Sequence, residues 1–165
     1  MRYLLDTNII RNVTKPSPSE SLLAWMADQN DDDLYIADFH RGLLRLKDNV
    51  LHVLAEGAAG NPFKGLNDLV LGEEGEVWFT DQGLTGLHDP TGVLYRFKDG
   101  QPMPVLANIR SPSGLAWALE KKSIFVAATR MNGVWRIPFG ADGQPFKVGL
   151  FCQLSGGIGP DGLAM

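Results

Sequence analysis

The chain has 165 residues, 44% hydrophobic and 21% charged, and a net charge of −4 at pH 7. These values are typical of one globular domain, and mild acidity without a Lys/Arg-rich run argues against nucleic acid or an anionic membrane as a partner. The single cysteine, Cys152, excludes an intramolecular disulfide, and no run approaches the roughly 18 apolar residues that a membrane-spanning helix needs. We therefore expect a cytoplasmic protein.

Residues 1–33 are predicted to form a short strand and an amphipathic helix. The apolar run Tyr3-Leu4-Leu5 is followed directly by the carboxylate of Asp6. The stretch Ser17-Pro18-Ser19-Glu20 matches a capping box, which places the start of a helix at Ser17. Apolar residues then recur at helical spacing until about Asn30. We predict a boundary at residues 33/34, where this pattern gives way to short strands.

The stretch from Met1 to Ala37 resembles the N-terminus of PIN-domain nucleases, the toxins of toxin–antitoxin pairs. The resemblance is carried by Tyr3-Leu4-Leu5-Asp6-Thr7-Asn8 and by the helical stretch after it. It implies that Asp6 is the first of several carboxylates that hold Mg²⁺ or Mn²⁺. Where the family has its next acidic residue, this sequence has His40-Arg41-Gly42-Leu43. One carboxylate does not hold a catalytic Mg²⁺, so the resemblance predicts a ribonuclease remnant.

Residues 34–165 contain internal repeats. Three similar triplets, Asn67-Asp68-Leu69, Ser113-Gly114-Leu115 and Asp161-Gly162-Leu163, are separated by 46 and 48 residues. Short strands follow each of the first two triplets, at about four strands per repeat. Four strands in roughly 40–50 residues is the period of a β-propeller blade. The repeats therefore predict a mainly β fold.

The strand inventory is smaller than that of a closed propeller. It comprises three strands within 34–54, two full blades and one opening strand near the C-terminus, which is an arc of fewer than three four-stranded blades. Propellers close with four to eight blades, and closure removes exposed sheet edges. An open arc would bury its edges by self-association. Asp38 and Asp81, which follow equivalent strands, are predicted to form turn or blade-tying hydrogen bonds.

The periodicity gives three polar residues the same structural position. Asn67, Ser113 and Asp161 each lie at the start of an innermost strand, so their side chains are expected at the mouth of the central channel. Converging oxygen ligands suit a hard cation such as Ca²⁺. The alternative is that these residues simply begin strands after turns, which is common. His88, in a loop between strands, is a further candidate to overhang the channel and bind substrate.

Residues 34–165 resemble the senescence marker protein/gluconolactonase family, also called regucalcin-like. The resemblance is carried by these motifs: Phe63-Lys64-Gly65-Leu66-Asn67-Asp68, Trp78-Phe79-Thr80-Asp81, Asp89-Pro90-Thr91-Gly92, Ser111-Pro112 through Leu115, and Gly159-Pro160-Asp161-Gly162. It implies a six-bladed propeller that hydrolyses sugar lactones with the help of a divalent cation, Ca²⁺ in the first place and Mg²⁺, Mn²⁺ or Zn²⁺ as alternatives.

The resemblance also implies residue roles. Asn67 would contact metal and substrate, with Asp68 as its neighbour at the substrate, and Ser113 falls where the family has a metal-binding Asn. Asp161 would be a metal ligand and the catalytic base. The family's remaining ligand is a Glu in a first blade that this chain lacks, which predicts weak or absent activity. Three functions are therefore carried forward: a metal-dependent lactonase acting on a small lactone, a PIN-type ribonuclease remnant, and a non-catalytic fusion.

Overall fold

The computed structural model describes residues 3–5, 20–21, 24, 34–48, 50–120 and 122–164. Glu20, Ser21 and Ala24 are helical and exposed, in agreement with the predicted helix, whereas the proposed N-cap Ser17 lies outside the described residues. None of the helical segments within the described ranges has the length and apolar character needed to cross a membrane.

The described residues form fourteen strands. Their bounds are β1 (Tyr3–Leu5), β2 (Leu34–Asp38), β3 (Gly42–Lys47), β4 (Val50–Ala55), β5 (Gly57–Ala58), β6 (Asn61–Pro62), β7 (Leu66–Leu71), β8 (Val77–Asp81), β9 (Gly92–Lys98), β10 (Gln101–Ile109), β11 (Pro112–Trp117), β12 (Ser123–Ala128), β13 (Gly133–Pro138) and β14 (Gly149–Gln153). A single 3₁₀ turn, Thr129–Met131, lies between β12 and β13.

Twelve of these strands build three four-stranded sheets. Their orders are β1-β2-β3-β4, β7-β8-β9-β10 and β11-β12-β13-β14. The second and third sheets are antiparallel meanders, which is the construction of a propeller blade. The predicted mainly β fold with an arc of blades is therefore confirmed.

The first sheet departs from the meander pattern. Its strands β2, β3 and β4 are antiparallel, but β1 pairs with β2 in parallel, with Tyr3 opposite Leu34 and Leu5 opposite Ile36. A parallel pair requires a crossover of a dozen or more residues, and the 28 residues between Leu5 and Leu34 supply that length. The strand predicted at Tyr3–Leu5 is confirmed. It adds a fourth strand to the three that the sequence predicts within 34–54.

The sheets pack against one another through their faces. Because successive side chains of a strand point to opposite faces, Phe79 of β8 packs toward the first sheet and Trp78 toward the third. The Phe79 cluster includes Tyr35 and Leu43 of the first sheet. The Trp78 cluster includes Leu115, Ile124, Val126 and Ile137 of the third. The middle sheet is therefore covered on both faces.

The predicted roles of Asp38 and Asp81 are confirmed. Asp38 accepts hydrogen bonds from the backbone amides of His40 and Arg41, in the exposed β2–β3 turn. Asp81 is buried and accepts from three backbone amides, those of Lys64, Gly65 and Gly83. The carboxylate of Asp81 thus fixes the segment that leads into β7 and Asn67.

Candidate functional site

Equivalent strand ends of the second and third sheets lie at one end of the arc. Leu66, the first residue of β7, pairs with Asp81, the last of β8, and Pro112, the first residue of β11, pairs with Ala128, the last of β12. We call this end the mouth. It contains the start of each inner strand and the loops that follow the second strands.

Asn67 and Ser113 occupy the second position of β7 and β11. Asn67 is half-buried, and its Nδ2 donates to Gln82 Oε1 at 3.4 Å. Ser113 is buried, and its Oγ lies 2.8 Å from Thr129 Oγ1. Gln82 and Thr129 each follow the last residue of their blade's second strand. Both partners were missed from the sequence, although their equivalent place in the repeat was a usable signal.

The backbone of Asp161 lies next to Ser113, and the predicted convergence of the Asn67, Ser113 and Asp161 side chains stays a prediction. The Asp161 backbone carbonyl accepts from Gly114 N at 2.9 Å and from Ser113 Oγ at 3.1 Å. The preceding carbonyl, that of Pro160, accepts from Thr129 Oγ1 at 2.8 Å. The backbone is therefore held on both sides of Asp161, while the residue itself is exposed at the mouth.

Asp68 and Thr80 connect the inner strands of the two complete blades. The carboxylate of Asp68 accepts from Leu115 N at 2.8 Å and from Leu69 N at 2.9 Å. The fully buried hydroxyl of Thr80 donates to the Ser113 carbonyl at 2.8 Å. These bonds fix β7 against β11 and so set the relative position of Asn67 and Ser113. The predicted contact of Asp68 with substrate stays a prediction.

His88 lies in the loop between β8 and β9, and it is exposed. Two arginines from neighbouring segments tie this loop down: Arg110 Nε donates to the Leu87 carbonyl at 2.7 Å and Arg130 Nε to the Thr85 carbonyl at 2.9 Å. Because Arg130 directly follows Thr129, the loop lies at the mouth. Among the described residues no hydrogen bond joins His88 to Asn67, so the predicted role of His88 stays a prediction.

Asp89 organises the same loop from inside. Its Oδ2 accepts from the Thr91 hydroxyl and from Leu84 N, both at 2.7 Å. The Thr91 hydroxyl, opposed in part by burial and assisted by the Leu84 amide, lowers the pKa of Asp89 from its usual value. The Thr91 hydroxyl and the Leu84 amide therefore stabilise the ionised form of the Asp89 carboxyl.

The donor chemistry at the mouth fits a weakly held hard cation. Asn67 uses its amide nitrogen on Gln82, which leaves the amide oxygen as a ligand, and the carboxylate of Asp161 is exposed. Among the described residues no three His, Cys, Asp or Glu side chains form a metal-binding group. Because Ca²⁺ affinity rises with the number of charged ligands, a single carboxylate with an amide oxygen would bind it weakly. Asp6 lies outside the described residues.

A family model described as the SMP-30/gluconolactonase/LRE-like region matches residues 2–165. Among curated proteins, the lactonase drp35 of Staphylococcus aureus is 30% identical over 100 residues, which are 58% of this chain and 31% of that protein. The corresponding lactonase of Staphylococcus haemolyticus is 29% identical over 104 residues, 61% of this chain and 32% of that protein. The matched region thus spans about a third of these relatives.

Solved structures show the same fold. A gluconolactonase from Xanthomonas campestris superimposes with a TM-score of 0.65 at 24% identity, over 78% of this chain and 50% of that one. A calcium-binding regucalcin from Agrobacterium tumefaciens gives a TM-score of 0.58 at 24% identity, over 71% of this chain and 40% of that one. At these identities the likeness concerns the fold alone.

Proposed function

Because the chain belongs to the SMP-30/gluconolactonase/LRE-like family, we propose that it hydrolyses lactones at the mouth, with Asp161 as the central residue. One observation carries this proposal: an exposed carboxylate sits on a backbone held from both sides, by Thr129 at Pro160 and by Gly114 and Ser113 at Asp161 itself. A group fixed in this way is suited to act on a bound substrate without first being ordered.

The reaction is the opening of a cyclic ester by water. Asp161 accepts a proton from the attacking water and so acts as general base. Asn67 and Asp68, at the start of the neighbouring inner strand, contact the substrate, and His88 meets it from the β8–β9 loop. The buried hydrogen bonds between Thr80, Asp68 and β11 keep these groups in register.

The residues that would hold a divalent cation are Asn67 and Asp161, with the Ser113 hydroxyl beside them. A bound Ca²⁺ supplies Lewis-acid polarisation of the lactone carbonyl, and Mg²⁺, Mn²⁺ or Zn²⁺ are the alternatives. The Asp161 carboxylate would then contribute to holding the cation and would also accept the proton of the water. Since the Ser113 hydroxyl already contacts Thr129, we assign the main share of the binding to the other two residues.

The test is the variant Asp161→Ala, measured by calorimetric titration with Ca²⁺ and by acid release from glucono-1,5-lactone, with spontaneous hydrolysis subtracted. Cation binding should disappear, and catalysed hydrolysis should fall by about 100-fold or more, the usual contribution of a general base. The matched control is Asp142→Ala, because Asp142 is an exposed carboxylate of the β13–β14 connection whose Oδ1 accepts from Gln144 N in its own turn. Equal activity and cation binding in both variants would refute the proposal.

Two other outcomes distinguish the remaining candidates. The parallel pairing of β1 with β2 is the one observation that favours the nuclease alternative, because a strand–helix–strand crossover produces it. RNA cleavage that is lost in Asp6→Asn would assign ribonuclease activity instead. Absence of lactone hydrolysis together with non-saturable cation uptake would identify a non-catalytic fusion.

A further inference from the structure

Two arginines from different elements reach the same short stretch of the β8–β9 loop. Arg110 directly follows β10, and its Nε donates to the Leu87 carbonyl at 2.7 Å. Arg130 lies in the 3₁₀ turn after β12, and its Nε donates to the Thr85 carbonyl at 2.9 Å. Since two residues of chain span at most about 7 Å, both guanidinium groups are anchored within a short distance of each other at the mouth.

The third basic side chain of this stretch is that of His88. A Cβ on Gly86 would lie 2.5 Å from the imidazole ring, so the ring lies against Gly86, the residue between the two carbonyls that bind the arginines. His88 is exposed, and a neutral imidazole carries an N–H donor as well as an acceptor. We call Arg110, Arg130 and His88 the basic cluster.

The two arginines are held in a way that leaves their outer donors available. Each Nε bond uses one N–H group and fixes the plane of the guanidinium. Of the Nη groups, Arg110 Nη1 lies 3.7 Å from the sulfur of Met131, the residue after Arg130. Within the described ranges the remaining Nη groups of both arginines form no hydrogen bond. A guanidinium presents such donors as a planar fork, which matches the oxygens of a carboxylate.

No carboxylate of the described chain forms an ion pair with the arginines of the basic cluster. Asp89 belongs to the same loop but is only 6% exposed, and Leu84 N and the Thr91 hydroxyl already donate to it. The Asp161 carboxylate is exposed at the same mouth, yet among the described residues neither arginine pairs with it. The Asn67 amide oxygen is an acceptor and so does not compete for an anion. Because like charges held together repel, an anion that binds between them is stabilised.

We infer that the basic cluster is a subsite for a carboxylate group at the rim of the mouth. It adjoins the candidate site, because Arg130 directly follows Thr129, whose hydroxyl holds the carbonyl before Asp161. The inference rests on the proposed lactonase function and names an anionic ligand class for the same site. The carboxylate is either a substituent of the lactone or the group that forms when water opens the ring, and both present the same oxygens to the guanidinium fork.

Calorimetric titration of the full chain tests the subsite without any turnover. Pyroglutamate, a lactam with a carboxylate on its ring, is compared with pyroglutamamide, in which a neutral amide replaces that carboxylate. Pyroglutamate should bind about tenfold more tightly, and its advantage should shrink as salt is raised from about 0.05 to about 0.5 M, because the site is exposed. Equal affinity for the two lactams would overturn the inference.

Two variants locate the subsite. Arg110→Gln and Arg130→Gln each remove one guanidinium and keep a long polar side chain, so each should weaken pyroglutamate binding about threefold to tenfold and leave pyroglutamamide binding unchanged. The matched control is Arg136→Gln, because Arg136 is also exposed but its Nε donates to Ser123, the first residue of β12, at the end of the sheet away from the mouth. The same loss in Arg136→Gln would mean that only the overall charge matters, and the subsite would be refuted.

Hydrolysis kinetics separate a subsite from simple support of the loop. In the parent chain, kcat/KM for 5-oxotetrahydrofuran-2-carboxylate should exceed that for the corresponding carboxamide, and the two arginine variants combined should bring the ratio close to one. An equal fall on both substrates would show that the arginines only hold the loop in place, and the inference would fail.

Binding of 4-hydroxybutyrate identifies the source of the carboxylate, because this acid carries only the group that ring opening creates. Weaker binding in the arginine variants would assign the basic cluster to that group. Unchanged binding, with pyroglutamate binding weakened, would assign it to a substituent of the substrate. Arginine-dependent carboxylate binding in a chain that hydrolyses no lactone would support the subsite and refute the proposed function alone.

Discussion

Replacing Asp81 by alanine should destabilise the chain more than any substitution of an equivalent turn carboxylate. Asp81 is only 4% exposed and accepts hydrogen bonds from Lys64 N at 2.8 Å and from Gly65 N and Gly83 N at 3.0 Å. Alanine leaves three backbone amides without their acceptor in a site that water reaches poorly. At about 1.5 kcal/mol for each hydrogen bond to a charged group, the expected loss is about 4 to 5 kcal/mol.

Asp38 provides the matched comparison because it lies at the same position of the first sheet. It accepts from two amides, those of His40 at 2.9 Å and Arg41 at 2.8 Å, and both bonds are exposed. Water replaces the lost acceptor there, so Asp38→Ala should cost about 1 kcal/mol. The difference between the variants, about 3 kcal/mol or more, comes from burial and from one additional bond.

The assay is urea-induced unfolding of the parent chain, Asp81→Ala and Asp38→Ala, followed by tryptophan fluorescence and circular dichroism. Domains of this size are stable by about 5 to 15 kcal/mol, so the Asp81 variant should unfold at a clearly lower urea concentration and the Asp38 variant only slightly lower. A loss in Asp81→Ala no larger than that in Asp38→Ala would refute the reasoning. It would mean that the amides of residues 64, 65 and 83 find other acceptors.

Two further predictions concern the mouth. Gly114→Ala should increase amide hydrogen exchange of residues 161–163, because a Cβ on residue 114 would lie 2.3 Å from the Asp161 carbonyl oxygen. Gly162→Ala is the control and should leave exchange unchanged, because no atom lies within 4 Å of its Cβ. Equal exchange in both variants would contradict the close packing. Since the folded-state pKa of Asp89 lies below its ordinary value of about 4, its contribution to stability is complete above that pH and is lost as pH falls through the folded-state pKa. Asp89→Asn should therefore flatten the acid side of a plot of urea midpoint against pH, and an unchanged slope would count against this role.

Much of the fold follows from local patterns in the sequence. The recurrence of Asn67-Asp68-Leu69 at Ser113 and Asp161 predicts the start of each inner strand, and the structure begins β7 and β11 one residue earlier, at Leu66 and Pro112. The opening strand predicted at Asp161 is wrong for residues 161–164, which form no strand because no neighbouring strand pairs with them. Short apolar runs such as Val77-Trp78-Phe79 and Ile124-Phe125-Val126 predict strands β8 and β12. Strands can be predicted from these patterns because each pattern depends on residues close together in the chain.

Only part of the candidate site could be predicted from the sequence. The equivalent positions of Asn67 and Ser113 followed from periodicity, but their partners Gln82 and Thr129 did not, because hydrogen bonds across 15 or 16 residues have no local pattern. The packing of the Phe39 ring on Gly65 was also not predicted. The turn of Phe39 is 26 residues from Gly65, and only the packing of the first sheet on the second brings its ring there.

The first sheet marks the limit of what local patterns decide. The sequence determined that Tyr3–Leu5 is a strand, that Leu34–Asp38 is another, and that Asp81 and Asp38 end strands in carboxylates able to accept from turns. Only the tertiary structure decided that β1 runs parallel to β2, that Asp81 is buried while the bonds of Asp38 stay exposed, and that Ser113 and Thr129 hold the backbone at Asp161 and Pro160. The physical reason is that strand formation is set by neighbouring residues, whereas pairing direction, burial and the composition of a site depend on which distant segments exclude water together.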